Sequence, residues 1–245
     1  MERKVVVAGW GQVTQPKQLN QKAKDPMGLM IQASRRAAEM MASKTALTHL
    51  DGIMIVRTLS RHYTSPAKQL AQKIGATPKL THVSGIGGNS PQMMINIAAG
   101  MIARNELDSV LIAGAEAYIQ REEKIKRIES ALFRGIPENY PGDDIIGSTP
   151  LENQHGIEHP MQGFPLFETA LWADSDLDLQ SYLIKIGKMW AAFSKIASEH
   201  PYAWTKSVRT PEEIVTPGPG NRPVAFPYNK YMNSFVTVDQ GAAVI

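Results

Sequence analysis

Two short stretches of this 245-residue chain hold residue types at spacings that could do chemistry. The first is Gly85-Ile-Gly-Gly88 followed by Asn89, Ser90 and Pro91, a glycine-rich turn leading into an apolar stretch of small residues. If that stretch is a helix, Gly88, Asn89 and Ser90 stand at its N-terminus, where N–H groups point outward and the helix dipole favours negative charge. A thiolate or an oxyanion would be stabilised there, which suits acyl transfer. The plainer reading is a tight turn whose glycines permit close packing. No P-loop lysine follows these glycines, so phosphate cradling of that kind is not indicated.

The second stretch, His155-Gly-Ile-Glu158 with His159, has the spelling of inverted zinc peptidases, in which one helical turn aims two imidazoles at zinc and the glutamate activates water. Gly156 within it and Pro160 after it oppose the required helix. Asn153-Gln154 and Met161-Gln-Gly163 on either side read as loop, no third ligand is evident, and no bound metal is expected.

The chain has no cysteine. That removes disulfides, thiolate zinc sites and cysteine catalysis together. A serine nucleophile would have to be Ser90, two residues past Gly88, and no histidine stands near it in sequence to act as base. Gly9-Trp-Gly11 has part of a dinucleotide-binding spelling, but the third glycine position holds Thr14 and Pro16 follows, so a strand-end turn is expected.

At 43% apolar and 20% charged residues the chain can bury a sizeable core. The net charge is +3, and the densest basic stretch, 121–127, is interleaved with acids as on a solvated helix face. A nucleic-acid groove would be more basic, with aromatics beside it. No apolar run is long enough for a membrane span, and the opening residues lack a signal peptide's apolar core, so a soluble cytoplasmic protein is expected.

The elements that must position these residues follow from periodicity. Strands at Val5–Ala8, Gly52–Val56, Leu80–Val83 and Ser109–Ala113 alternate with helices at Met27–Met41, Pro66–Ile74 and Pro91–Ala103. This order predicts an α/β fold built on a parallel sheet. Asp25 can cap the first helix with Pro26 at its first position, and Gly75 can end the second. Between 118 and 228 the texture turns to prolines, aromatics and charges, with helical periodicity chiefly between Leu177 and Glu199. This reads as an inserted, loop-rich region closed by the turn at Pro217–Gly220. A last strand is expected at Ser234–Val238. The apolar end at Gly241–Ile245 suggests a larger fold divided in its middle.

Taken together, the turn Gly87-Gly-Asn-Ser-Pro-Gln92, the helix with Ile97-Ala-Ala-Gly-Met-Ile102, the strand Val110-Leu-Ile-Ala-Gly-Ala-Glu116 and the closing Val238-Asp-Gln-Gly-Ala-Ala243 resemble the N-terminal half of a thiolase. The closest branch is that of sterol-carrier-protein-like acetyl-CoA acetyltransferases. Ser90 matches the serine of the thiolase cysteine motif, Glu116 the acid after the strand, and Asp239, Ala242 and Ala243 the late strand. Gly88 then falls where the nucleophilic cysteine belongs, and Gln240 is an insertion between Asp and Gly.

The resemblance implies a mixed, mostly parallel five-stranded sheet flanked by helices, formed by residues 1–117 plus 229–245, with an inserted loop domain at 118–228. It implies CoA or an acyl-CoA as substrate or ligand, attracted by the modest positive charge, and no covalently bound cofactor. Within the insertion, His159, Met161, Phe164 and Phe167 resemble the stretch that shapes the pantetheine and acyl pocket. An aromatic loop packed on its domain is the alternative.

The Gly-His-Pro histidine and second cysteine of a C-terminal half are missing, so an acyltransferase that is inactive as this chain alone is expected. The rivals are a noncatalytic CoA- or acyl-binding scaffold and the zinc peptidase of His155, Glu158 and His159. The apolar helix at 91–103 would need cover from a partner, either the C-terminal half, a partner subunit or a second copy in a homo- or hetero-oligomer.

Overall fold

A computed structural model describes residues 3–16, 23–43, 45–118, 148–235 and 237–245. The basic stretch at 121–127 lies outside the described residues. Two compact units are present, Met1–Asp144 with Thr237–Ile245, and Ile145–Val236. The sequence reading set these divisions at 118 and 228.

In the first unit, β2 (Gly52–Ile55) and β4 (Val110–Glu116) are apolar along nearly their whole length. Successive side chains of a strand point to opposite faces, so neither face of this sheet can be left to water. Ile53, Ile55, Leu111 and Ala113 enter one buried cluster, covered by Leu29, Met30, Ala33 and Ala37 of α1 (Pro26–Met40) and Leu70 of α2 (Pro66–Ile74). Met54, Val110 and Ile112 enter the other, covered by Met94 and Ala98 of α3 (Ser90–Ala103). Each such large side chain removed from water contributes about 1.5–3 kcal/mol. The result is three layers, helices on both faces of the sheet.

The sheet has strand order β1-β7-β4-β2-β3, with β1 at Trp10–Thr14, β3 at Leu80–Val83 and β7 at Gln240–Val244. β2 pairs parallel with β3 and β4, whereas β7 runs antiparallel to both β4 and β1. Four strands therefore share one direction, and the mixed, mostly parallel five-stranded sheet expected from the sequence is present. α1 is capped as expected, with Asp25 accepting from the Gly28 N–H at 2.9 Å and Pro26 opening the helix. α2 ends at Gly75, whose φ of 77° suits glycine.

The first and last strands of the chain correct the sequence reading. Val5–Ala8 is not a strand, and Val6 and Val7 are 63% and 62% exposed. The first strand begins at Trp10 because Gly9 and Gly11 let α1 lie against it. A Cβ on Gly11 would stand 2.2 Å from the Ala33 carbonyl oxygen, and one on Gly9 2.2 Å from that of Ala37. These glycines are a packing surface, neither a turn nor part of a nucleotide fingerprint. The last strand likewise lies beyond Ser234–Val238, at Gln240–Val244, where Gly241 comes close against Leu29 of α1.

The second unit is more helical than its sequence texture suggests. It holds α4 (Pro150–Gln154), α5 (Pro160–Ala173), α6 (Leu179–Glu199) and α7 (Pro211–Val215). A small antiparallel ribbon joins β5 (Pro223–Ala225) to β6 (Tyr228–Asn229). Pro150, Pro160 and Pro211 looked like loop markers, yet each opens a helix, where a missing N–H costs nothing. Thr149 and Thr210 close capping boxes with Glu152 and Glu213. Tyr182, Ile186, Ile214, Val215 and Met232 form the core of this unit. Beside it, Glu168 of α5 accepts hydrogen bonds from the hydroxyls of Tyr182, at 2.5 Å, and Tyr228. No described helix is long and apolar enough to cross a membrane.

Candidate functional site

In the first unit the carboxyl ends of β2, β3 and β4 share one edge of the sheet, the place where open α/β sheets hold ligands. The segments that emerge there are Val56–Ser60, Ser84–Asn89 and Ala117–Tyr118. Glu116, at the end of β4, accepts the N–H of Leu59 and of Ser60, both at 2.6 Å. The fully buried Ser60 returns the link, its hydroxyl accepting from the Ala117 N–H at 3.0 Å. Glu116 thus clamps the loop after β2, and a positioning role accounts for both its oxygens.

The glycine-rich turn is held from within. Ser84, fully buried, donates its N–H to the Ile55 carbonyl at 3.0 Å and its hydroxyl to the Gly85 carbonyl at 2.8 Å. The Ser90 hydroxyl donates to the same Gly85 oxygen at 3.3 Å, and Ser90 is 3% exposed. A buried hydroxyl used as a turn staple is poorly placed to attack a substrate. Asn89 is exposed and makes no side-chain cap to α3. Gly88 is exposed too, and a Cβ built on it would meet nothing within 4 Å. A side chain at 88 would project from the start of a fourteen-residue helix into open space.

The helix start offers fewer donors than the sequence suggested, because the Ser90 N–H is spent on the Gly87 carbonyl at 3.1 Å and Pro91 has none. Two groups missed in the sequence stand nearby. Arg57 donates its backbone N–H to the Ser84 hydroxyl at 3.1 Å, and burial lowers the pKa of its guanidinium, which still stays cationic at neutral pH. His82, on β3, shares the face of its register partner Met54, turned to α3. Its Nε2 is buried without a hydrogen-bond partner, and burial holds the imidazole below its usual pKa. Only its place two residues before Ser84 hinted at this.

At the same edge Asp239, fully buried, joins three strand ends. Its carboxylate accepts the Tyr118 N–H and the Gln15 side-chain amide, the latter at 2.8 Å, and its carbonyl accepts the Gln15 N–H at 2.9 Å. Gln15 passes the link on, accepting from the Lys24 N–H at 2.7 Å. The late-strand motif is therefore an internal brace.

His159, Met161, Phe164 and Phe167 belong to the second unit, apart from the Gly88 group in the fold's division. His159 precedes α5, Met161 is half-buried, and Phe164 and Phe167 are 62% and 69% exposed with ring centroids 6.2 Å apart. The zinc reading fails on geometry. His155 ends α4, His159 precedes α5, and Gly156 between them has a φ of 75°, so the two imidazoles share no helical turn. Among the described residues no group of three His, Cys, Asp or Glu could hold a metal ion.

No family model and no curated protein matches this sequence. Solved structures do. A monomeric SCP2-thiolase-like protein type 1 from Mycobacterium smegmatis superposes with a TM-score of 0.76 and 25% identity over 97% of this chain. The fold is that of an SCP2-thiolase-like protein. The Ltp2-ChsH2(DUF35) aldolase follows with a TM-score of 0.66 and 17% identity, again over 97% of this chain. The chain spans 44% of the length of the first and 54% of the second. In this SCP2-thiolase-like frame the exposed Gly88 lies at the turn between β3 and α3, where the resemblance seats the nucleophile of a thiolase.

Proposed function

We propose that this chain binds a CoA thioester at the carboxyl edge of its sheet without forming an acyl-enzyme, as the thiolase-like half of a larger catalytic or carrier assembly. The observation that supports it is Gly88, an exposed helix-start residue with open space before it, in a chain with no cysteine. The helix dipole and the Arg57 cation favour the thioester oxygen and the CoA phosphates at this edge.

A partner is part of the reading. On α3 only Ser90, Met94 and Ala98 are buried, leaving Ile95, Ile97, Met101 and Ile102 half-covered. A complementing thiolase-like half would cover them and supply the Gly-His-Pro histidine and second cysteine that are missing from this sequence.

Titration calorimetry with acetyl-CoA, paired with intact-mass measurement after incubation, tests the proposal. Saturable binding with unchanged protein mass is expected. A stable mass increase of one acyl group, or no heat of binding, would overturn it.

The absent thiol also favours a second reading, carbon–carbon cleavage. Retro-aldol opening of a β-hydroxyacyl thioester removes the hydroxyl proton, breaks the Cα–Cβ bond to leave an aldehyde, and protonates the thioester enolate. No acyl-enzyme is needed. Aldehyde released from a 3-hydroxyacyl-CoA by the chain with its partner half would select this reading over carriage alone.

A further inference from the structure

α5 turns one face to its own unit and an apolar one to solvent. On the inner face Pro165 is buried, Trp172 packs against the core, and Glu168 is held by the Tyr182 and Tyr228 hydroxyls. On the outer face Phe164, Phe167 and Leu171 recur at steps of three and four residues, and all three are more than half exposed. Asp174 continues the row, three residues past Leu171 and seven past Phe167, because its backbone is still in the right-handed helical region. The row is thus an apolar stripe that ends in a carboxylate, and Glu158 stands just before its other end. Asp174 sits where the helix dipole favours a cation instead. Among the described residues neither Asp174 nor Glu158 takes part in an ion pair.

We propose that this stripe docks an amphipathic helix of a partner protein, one whose apolar residues recur at the same spacing and whose flanks carry lysine or arginine. Charge selects the occupant. Residues 148–184 place acids at both ends of α5 and contain no lysine or arginine. Arg222, beside the β5 strand packed on α5, is turned to the Pro223 carbonyl at 3.2 Å. A helix that lies on a membrane surface sets Lys and Arg beside its apolar face, and this one has neither. A second copy is disfavoured by the same charges, since stripe against stripe sets Asp174 against Glu158 in one direction and against Asp174 in the other. A basic helix covers the apolar row and places a cation beside the carboxylate at its end.

Fluorescence anisotropy with the full chain is the test. The probe is a labelled peptide of about eighteen residues, leucine on one helical face and lysine along both sides, and its control replaces every lysine by glutamate. The lysine peptide is expected to bind saturably and to weaken with added salt. The glutamate peptide should bind at least about tenfold more weakly. Phe167→Gln should weaken the lysine peptide about tenfold with an unchanged circular dichroism spectrum. Leu171→Gln should do the same and serves if the first variant folds poorly. Asp174→Lys should weaken the lysine peptide and strengthen the glutamate one. Equal affinity for the two peptides, binding that survives both glutamine variants, a preference unmoved by Asp174→Lys, or adsorption to phosphatidylglycerol vesicles in preference to the lysine peptide would each overturn the proposal.

Discussion

The carboxylate of Asp239 and the side-chain amide of Gln15, 224 positions apart in sequence, meet at 2.8 Å inside the sheet edge. Through them the ends of β1, β4 and β7 are fixed to one another without any exposed group. Asp239→Ala removes the acceptor of two side-chain bonds at once and should destabilise the chain by about 3 kcal/mol or more. Asp239→Asn keeps one acceptor oxygen and should lose less. Urea denaturation of the three proteins checks the ranking, and equal stabilities would show that the brace is dispensable.

Two glycines should respond oppositely to a side chain. Gly88 faces open space, so Gly88→Cys should change stability by no more than about 0.5 kcal/mol. Its thiol, alone in the protein, should react with iodoacetamide in the native state. Gly11 sits 2.2 Å, at Cβ distance, from a backbone oxygen of α1. Gly11→Ala should therefore cost about 1–3 kcal/mol or more, since backbone cannot step aside as a flexible side chain can. Thermal melts of both variants decide the point.

His82 should make the fold sensitive to mild acid. Burial favours its neutral form, so its folded pKa lies below the unfolded 6.5. The unfolded chain then binds the extra proton, and stability is full above 6.5 and declines as pH falls below it. His82→Gln should flatten the acid limb of a stability profile, measured by urea midpoints between about pH 8 and pH 5. A profile unchanged by that substitution would count against a buried neutral imidazole.

Tyr182 should act at the other end of the scale. Burial, and then the hydrogen bond to Glu168, push its phenol from 10.0 to about 12. A raised folded value means its stabilising contribution is present below pH 10 and is lost as pH rises toward 12. Tyr182→Phe should weaken the fold at neutral pH, because Glu168 loses a donor, and should soften the alkaline transition. Circular dichroism followed through alkaline titration reads both effects.

The central layers of the first unit were legible because their signals are local. Apolar runs at Gly52–Ile55 and Leu80–Val83, the Pro66 start, the Gly75 stop and the Asp25–Pro26 cap all act within a few residues. The first and last strands were misplaced because tertiary packing overrode local preference. Val5, Val6 and Val7 have the stronger strand propensity, but only Gly9 and Gly11 admit α1. Proline misled in the second unit, since the same residue that breaks a helix inside opens one at its first turn. At the candidate site the turn at Gly85–Ser90 was visible in the spelling. What occupies its hydroxyls was not, because the partners, Gly85 oxygen and the Arg57 N–H, are set by strands that pair across the sheet.

The strand order carries a consequence for how the chain is made. β7 lies between β1 and β4, so the first strand has no neighbour to pair with until residues 240–244 have been synthesised. The β2, β3 and β4 layer, with α1 on one face, can assemble during translation, whereas β1 must wait through more than two hundred residues for its pairing strand. Loop closure on that scale is slow. During the wait the exposed flank of β4 is the surface most open to wrong pairing, and a nascent chain released early should be most prone to aggregate there.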